Sequence, residues 1–172
     1  MTRYLLLAAL LLVTTLVAGC QSAVAPAPIN ATYDYAGPPT LGEAVNFEDT
    51  CLLPIEIGYA FSGDIEGVAT SQAQILHDGL CEPDTQYCDY NEKWVAEGVY
   101  EGEVKGQTGT FDYFLTATVN DCHFDAQMVI EPGTGTGDLA GINGIIIFDE
   151  EPGDEPPWPV TGYVYYDTPP TP

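Results

Sequence analysis

Apolar and polar residues alternate along most of the chain after residue 54, a pattern that is typical of β-strands with one buried face. No window keeps the i, i+3, i+4 spacing of an amphipathic helix for three turns, and glycine and proline recur throughout. In the clearest run the residues on one face are all apolar: Phe111, Tyr113, Leu115, Ala117 and Val119. The alternation predicts eight strands, at residues 44–48, 55–61, 65–76, 94–104, 110–119, 123–131, 142–149 and 160–167.

Short turns separate most of these predicted strands, so neighbours in sequence should pair in antiparallel fashion. Eight antiparallel strands favour closure into a barrel, because closure leaves no exposed edge strand. Four glycines near strand ends, Gly63, Gly67, Gly102 and Gly106, fit the sharp bends of a small barrel. The sequence therefore predicts an all-β fold, a closed antiparallel β-barrel of about eight strands.

Glycine is densest at residues 132–148, where Gly133, Gly135 and Gly137 precede a β-branched run at residues 145–147. This spacing is not the dinucleotide-binding fingerprint, because no helical pattern follows the glycines. A phosphate would also meet a chain with only three Lys and Arg residues. The stretch is therefore interpreted as a tight loop and a strand crossing at the barrel seam.

The string Gly-Thr-Gly-Thr-Gly-Asp-Leu-Ala-Gly-Ile-Asn-Gly at residues 133–144 resembles the signature loop of a family of uncharacterised bacterial proteins. Members of that family look like small β-barrels of the allene-oxide-cyclase type. Three more segments match in order, at residues 61–67, 100–111 and 162–166. The resemblance covers roughly residues 55–167 and implies an allene-oxide-cyclase-like barrel. It implies no activity, because the pocket residues on which the plant cyclases depend cannot be matched position by position.

The amino terminus predicts a bacterial lipoprotein. A basic start at Arg3 precedes an apolar run at residues 4–17, which is too short to cross about 30 Å of hydrocarbon but suits a signal peptide. The small residues before Cys20 form a lipoprotein-processing site, although an ordinary signal peptide with a chance cysteine is the alternative. We therefore expect a signal peptide at residues 1–19 and a lipidated Cys20. The lipid would anchor the chain to the extracytoplasmic side of a membrane without a spanning helix.

The composition of the rest of the chain predicts three segments. Residues 20–39 are rich in Ala, Pro and small polar residues and are predicted to be a flexible tether, followed by a barrel domain at 40–168 and a frayed tail at 169–172. The full chain has 26 Asp and Glu residues and a net charge of −23, and the chain from Cys20 onwards would carry −24. This charge excludes nucleic acid as a partner, and the hydrophobic fraction of 45% argues for a folded core.

Four further cysteines indicate two disulfides, because an exported chain meets an oxidising compartment. Cys81 and Cys88 bracket a short polar segment, so we predict that they pair with each other and that Cys51 pairs with Cys122. A zinc site built from these cysteines and the two histidines is the alternative, but the spacings match no standard zinc pattern. We therefore predict no metal and no cofactor.

The mouth of a small barrel is the default pocket of this architecture. The candidate pocket residues are Tyr59, Phe61, Glu66, Tyr113 and Tyr163. Burial beside aromatic rings would disfavour a charged carboxylate and would suit acid–base chemistry. The alternative is that the aromatic side chains fill the core while the carboxyl group points to water.

Two other groups of residues could carry chemistry. Both histidines, His77 and His123, adjoin turns and are predicted to face solvent. The acidic run at residues 149–155 could collect calcium through its oxygen atoms, although a solvated loop is the preferred interpretation. Catalytic residues are therefore not assigned.

The sequence favours a lipid-anchored barrel that binds a small apolar ligand or acts as a surface interaction module. An isomerase or cyclase that uses the barrel pocket is the alternative. The two differ in one feature, because an enzyme also needs a buried ionisable group that faces the pocket. The acidic exterior should favour neutral ligands over carboxylates.

Overall fold

The computed structural model describes residues 25–81, 91–151 and 153–167. These residues form ten β-strands and one short 3-10 helix, and no helix among them has the length and apolar character needed to cross a membrane. The elements are β1 (Ala27–Tyr35), β2 (Thr40–Leu41), β3 (Val45–Phe47), β4 (Thr50–Gly63), β5 (Ile65–Asp78), β6 (Glu92–Val104), β7 (Gln107–Asn120), β8 (His123–Ile130), η1 (Gly137–Leu139), β9 (Ile142–Glu150) and β10 (Trp158–Tyr166).

Eight of the strands, β1 and β4 to β10, form one closed antiparallel barrel. Each strand from β4 to β10 pairs with the next, so the hairpins follow chain order. The ring is completed by β1, which pairs with β10 on one side and with β4 on the other. The predicted all-β fold, a closed antiparallel barrel of about eight strands, is confirmed.

The register determines the width and tilt of the barrel. A path of paired residues that starts at Leu53 crosses all eight strands and returns to β4 at Gly63, ten residues further along. Between these two points the path runs through Ile75, Trp94, Ala117, Ala126, Phe148, Val160 and Ala31. Such a barrel has strands tilted by about 40° and an interior that side chains can fill or that can hold one small ligand.

The first barrel strand lies where the sequence predicted a flexible tether, so that prediction is wrong for Ala27–Tyr35. Ile29, Ala31 and Tyr33 alternate inward and are buried in the barrel. Four prolines between residues 26 and 39 gave this region the composition of a linker and hid the alternation.

The predicted strand at residues 44–48 lies outside the barrel. It corresponds to β3, which pairs with β4 and is exposed along its length. The barrel therefore has the predicted number of strands, but its eighth strand is β1 and not the strand predicted at residues 44–48. The predicted signal peptide, Cys20 and the tail at residues 169–172 lie outside the described residues.

The structure joins Cys51 to Cys81, with their Cα atoms 5.0 Å apart, so the predicted pairing is wrong. The cause is the β4–β5 hairpin, because Cys51 pairs with His77 and the few residues that follow bring Cys81 back to it. Cys122 is also disulfide-bonded, and its partner lies outside the described residues, as does Cys88. Oxidation itself, which export predicts, is confirmed for Cys51 and Cys81.

The glycine-dense loop between β8 and β9 closes one end of the barrel. The backbone N–H of Thr136 donates to the carbonyl oxygen of Thr110 at 2.9 Å, and Leu139 of η1 is fully buried. A Cβ atom at Gly135 would overlap the carbonyl group of Leu139, so only glycine permits this close approach. The predicted tight loop is confirmed, and η1 within it packs on β7. This end is termed the closed end.

Candidate functional site

The candidate pocket residues divide between the inside and the outside of the barrel. Tyr59, Phe61 and Tyr113 are buried inside it. Glu66 and Tyr163 lie on the outer surface, so the prediction that they line a pocket is wrong. Side chains alternate between the two faces of a strand, and the neighbours Ile65 and Val164 take the inward positions. Glu66 and Tyr163 therefore point outward.

Aromatic rings fill the middle of the barrel. The ring centroid of Tyr33 lies 5.0 Å from that of Phe148 and 5.8 Å from that of Tyr59. The hydroxyl groups of Tyr113 and Ser71 form a buried hydrogen bond of 2.6 Å. Burial raises the pKa of Tyr113 to about 12, so this phenol stays protonated at physiological pH.

Polar groups gather at the end of the barrel opposite the closed end. Glu92, Val119, Phe124 and Glu150 follow one line of paired residues across β6, β7, β8 and β9. Glu92 and Glu150 take inward positions and are 6% and 8% exposed. This end is termed the mouth and is defined by five side chains: Tyr35, Glu92, Trp94, Glu150 and Trp158.

Inward-facing side chains keep some accessible surface at the mouth. Trp94 and Trp158 are 8% and 9% exposed, whereas Phe111 and Leu139 at the closed end are 0% exposed. Ala31, at 9%, is an exception on the middle of β1. Among the described residues, the inward side chains at the mouth are therefore slightly more exposed than those at the closed end.

The Glu92 carboxyl group is held by neighbours on β5 and β6. The indole N–H of Trp94 donates to Glu92 Oε2 at 2.6 Å, and His77 Nδ1 lies 3.4 Å from Glu92 Oε1. Burial raises the pKa of Glu92, and the indole hydrogen bond and the nearby His77 oppose that rise. His77 is itself buried on the inward side of β5, so the prediction that it faces solvent is wrong.

The Glu150 carboxyl group lies at the end of β9. Burial raises its pKa to about 7, and the charge of Asp154 adds to the rise. Trp158 holds the neighbouring segment in place, because its indole N–H donates to the carbonyl oxygen of Asp154 at 3.2 Å. The protonated form of the Glu150 carboxyl group is therefore populated near neutral pH.

Tyr35 at the end of β1 forms the other side of the mouth. Its ring centroid lies 5.5 Å from that of Trp158 and 6.2 Å from that of Tyr59. Burial raises the pKa of the Tyr35 hydroxyl group, with further contributions from the charges of Asp34 and Glu92. The mouth thus presents aromatic rings, a protonated phenol and two carboxyl groups, which can bind a neutral molecule or exchange protons with it.

Sequence reasoning missed Glu92 and Glu150 as inward-facing groups. Each continues the alternation of its strand, since Glu92 is in phase with Trp94 and Glu150 is in phase with Phe148. The chain has 26 acidic residues, so an acidic residue at a strand end does not stand out in the sequence. Only its place in the alternation of the strand indicates that it faces inward.

A second group of polar side chains lies on the outside of the barrel beside the mouth. His123 Nε2 lies 2.5 Å from Asp149 Oδ1, and the donor atoms of these two residues and Glu151 lie within 4.8 Å of one another. Hydrogen bonding to Asp149 raises the pKa of His123, which faces solvent as predicted. Exposed acidic groups are common without a metal, so we assign no metal site here.

The sequence matches a family model described as a protein of unknown function, DUF3224, over residues 40–156. The chain belongs to the DUF3224 family. No curated protein matches the sequence. The fold is similar to the crystal structure of a DUF3224-family protein with unknown function from Shewanella oneidensis MR-1, with a TM-score of 0.63 and 15% sequence identity. The similarity covers 83% of this chain and 99% of that chain.

These comparisons concern the fold of this DUF3224 protein and not its activity. At 15% identity, the likeness to the Shewanella protein shows a shared barrel alone. The family match begins at residue 40, after β1, although β1 completes the barrel. The expected kinship with a family of uncharacterised bacterial proteins agrees with the match.

Replacement of Glu150 by Gln should change the pH dependence of stability. Because the folded-state pKa is raised from 4.5 to about 7, stability from the protonated carboxyl group is complete below pH 4.5 and is lost as the pH rises through 7. Glu150→Gln stays neutral, so between pH 5 and pH 8 it should gain about 2–3 kcal/mol on the wild type in the free energy of unfolding. Urea unfolding at both pH values measures this difference.

The matched control for this prediction is Glu66→Gln, which removes the same charge from the outer surface. It reports the general relief of repulsion in a chain of net charge −23. An equal gain for both variants between pH 5 and pH 8 would contradict the assignment of Glu150 as a buried, proton-binding group.

Proposed function

We propose that this DUF3224 protein binds a small, neutral and mainly apolar molecule at the mouth of its barrel. The observation that carries the proposal is the coincidence, at one end, of residual accessible surface, two nearly buried carboxyl groups and both tryptophans of the chain. Small-molecule sites are typically lined by apolar and aromatic side chains with a few polar groups among them. The mouth has this composition.

Small inward-facing side chains lie beneath the mouth. Ala73 pairs with Ala96, and Ala117 pairs with Ala126, so four neighbouring strands carry small inward-facing residues. These side chains fill less of the barrel than the aromatic rings farther in. A ligand that enters beside Trp94 would therefore meet an apolar wall.

The charge of the mouth favours a neutral ligand. A carboxylate would approach a chain of net charge −23 and would meet Glu92 and Glu150. A neutral ligand can instead accept a hydrogen bond from Glu150 in its protonated form, which its pKa of about 7 makes available. Tyr33 offers a second such group, because its hydroxyl is buried without a hydrogen-bond partner and its ring lies 5.3 Å from that of Trp158. One polar atom on the ligand would satisfy it.

An isomerase or cyclase that works at the same mouth is the second candidate. It is favoured by Glu150, whose pKa of about 7 suits a group that gives and takes protons at neutral pH. The buried ionisable groups that such an enzyme requires are Glu150 and Glu92, whereas Glu66 is exposed. This candidate also rests on the resemblance to allene-oxide-cyclase-type barrels, which is an analogy of fold.

Tryptophan fluorescence should report ligand binding directly, because both tryptophans of the chain lie at the mouth. We would titrate a medium-chain alcohol and the fatty acid of the same length against the protein at low salt. The alcohol should change the tryptophan emission with an affinity at least about tenfold higher, because the carboxylate meets the acidic mouth.

Two leucine variants on one strand locate the binding. Ala117→Leu fills the wall beneath the mouth and should weaken binding of the alcohol, whereas Thr116→Leu adds the same side chain to the outer surface and should not. Tighter binding of the fatty acid, or equal effects of both variants, would contradict the proposal. Turnover of an isomerisable ligand that is lost in Glu150→Gln would instead favour the enzyme.

We also propose that the protein is a lipoprotein, held on the extracytoplasmic side of a membrane by lipid on Cys20. Cys20 lies outside the described residues, so the support comes from its sequence motif and from the Cys51–Cys81 disulfide, which fits an oxidising compartment. Because β1 begins at Ala27, only a short segment would separate the lipid from the barrel. The barrel would then lie close to the membrane surface.

Cys20→Ser should move the protein from the membrane fraction to the soluble fraction of the same bacterial host, because it removes the lipidated thiol. Ser22→Ala, two positions away, should leave it in the membrane fraction. Mass spectrometry of the wild type should find a lipidated Cys20 as the first residue. An unmodified Cys20, or another first residue, would reject the anchor.

A further inference from the structure

Among the residues that the structure describes, one face of the outer surface has no charged residue. Two adjacent rows of paired, outward-facing residues cross the five strands β7, β8, β9, β10 and β1. The first row is Phe114, Val129, Ile145, Tyr163 and Pro28. The second row is Thr116, Gln127, Ile147, Thr161 and Asn30. These ten residues are termed the uncharged face.

Large apolar side chains are exposed on the uncharged face. Phe114, Val129, Ile147 and Tyr163 are each 38–40% exposed. On β6 the exposed Val95 pairs with Thr116 of the second row, whereas Glu97 pairs with Phe114 and ends the first row. A contiguous apolar area of this kind on a soluble surface marks an interaction site more often than scattered apolar residues do.

Carboxylate groups border the uncharged face on both sides. Asp125 and Asp149 pair with each other on the side toward the mouth. On the side toward the closed end, Asp112 lies on β7 and the backbone N–H of Glu131 donates to its carbonyl oxygen. An apolar centre within a polar rim is the usual anatomy of a protein interface.

We propose that the uncharged face binds the same face of a second copy of this chain in a two-fold symmetric dimer. Each copy has 26 acidic residues and a net charge of −23, so contact through the acidic surfaces would place carboxylates against carboxylates. The uncharged face lets two copies meet without burying a charge, and two-fold contact needs only one self-complementary face. A basic partner would instead be drawn to the acidic remainder of the surface.

The size of the uncharged face predicts a weak, reversible dimer. Five strands spaced about 4.8 Å apart, with two outward rows and the residues beside them, cover on the order of 500 Å² per copy. The total of about 1,000 Å² lies at the low end for specific interfaces. Repulsion between the two copies should make the dimer stronger at high salt, because salt screens it.

Sedimentation equilibrium of the mature chain, residues 20–172 with Cys20→Ser, tests the dimer. The dissociation constant should fall between about 1 and about 200 µM and should decrease when the salt concentration rises from about 0.05 to about 0.5 M. Val129→Asp places a carboxylate at the centre of the face and should raise the dissociation constant at least about tenfold. Val68→Asp is the matched control, because Val68 is similarly exposed, at 43%, but lies on β5, away from the face.

A wild-type chain that stays monomeric over this range would overturn the proposal, as would equal weakening by Val129→Asp and Val68→Asp. Thermal unfolding would check that each variant is folded. If Val129→Asp does not fold, Thr161→Asp becomes the deciding variant, because Thr161 is polar, exposed and on the same face. A dimer that persists in Thr161→Asp would also reject the uncharged face as the interface.

Discussion

The narrow interior of a closed eight-stranded barrel is the constraint on which the rest of the structure depends. Inward-facing side chains must fill this interior without overlap, and Tyr100 shows how they do so. Its hydroxyl donates to the carbonyl oxygens of Glu66 and Glu103, at 2.9 and 2.8 Å, and lies against Gly67 and Gly102. A Cβ atom at Gly102 would come within 2.6 Å of that hydroxyl group. Gly67 and Gly102 therefore make room for a tyrosine.

The same constraint makes the two ends of the barrel different. Aromatic rings occupy the middle, and Leu139 and the glycine loop seal the closed end. Toward the mouth, alanines such as Ala73 and Ala117 take the inward positions, and the inward line of residues ends in Glu92 and Glu150. A carboxyl group that is largely buried at this end loses hydration, and this loss raises the pKa of Glu150 to about 7. The chemistry of the mouth thus follows from where the aromatic packing stops.

Most of the fold could be predicted from the alternation of apolar and polar residues, which has a period of two. It predicted the strands from β4 to β10 because each keeps its alternation over at least eight residues. The alternation did not reveal β1, because the prolines in and around it give the segment the composition of a linker. Its partners β4 and β10 are also distant in sequence. The disulfide pairing was predicted wrongly because it depends on the lengths of β4 and β5. These strands have 14 residues each and bring Cys51 and Cys81 together at the end of a hairpin. The site was missed because the direction in which an acidic residue points depends on its phase, which local composition does not reveal.

A neutral paramagnetic probe in solution would test most directly whether the mouth is the accessible end of the barrel. Nuclear magnetic resonance would compare line broadening of the Ala117 methyl group and the Trp94 and Trp158 indole N–H groups with that of the Leu139 and Val164 methyl groups. All five side chains point into the barrel, so only their position along it differs. We expect the first three to broaden and the last two to stay sharp. Equal broadening at both ends, or broadening of Leu139 and Val164 alone, would contradict the mouth as the route for a ligand.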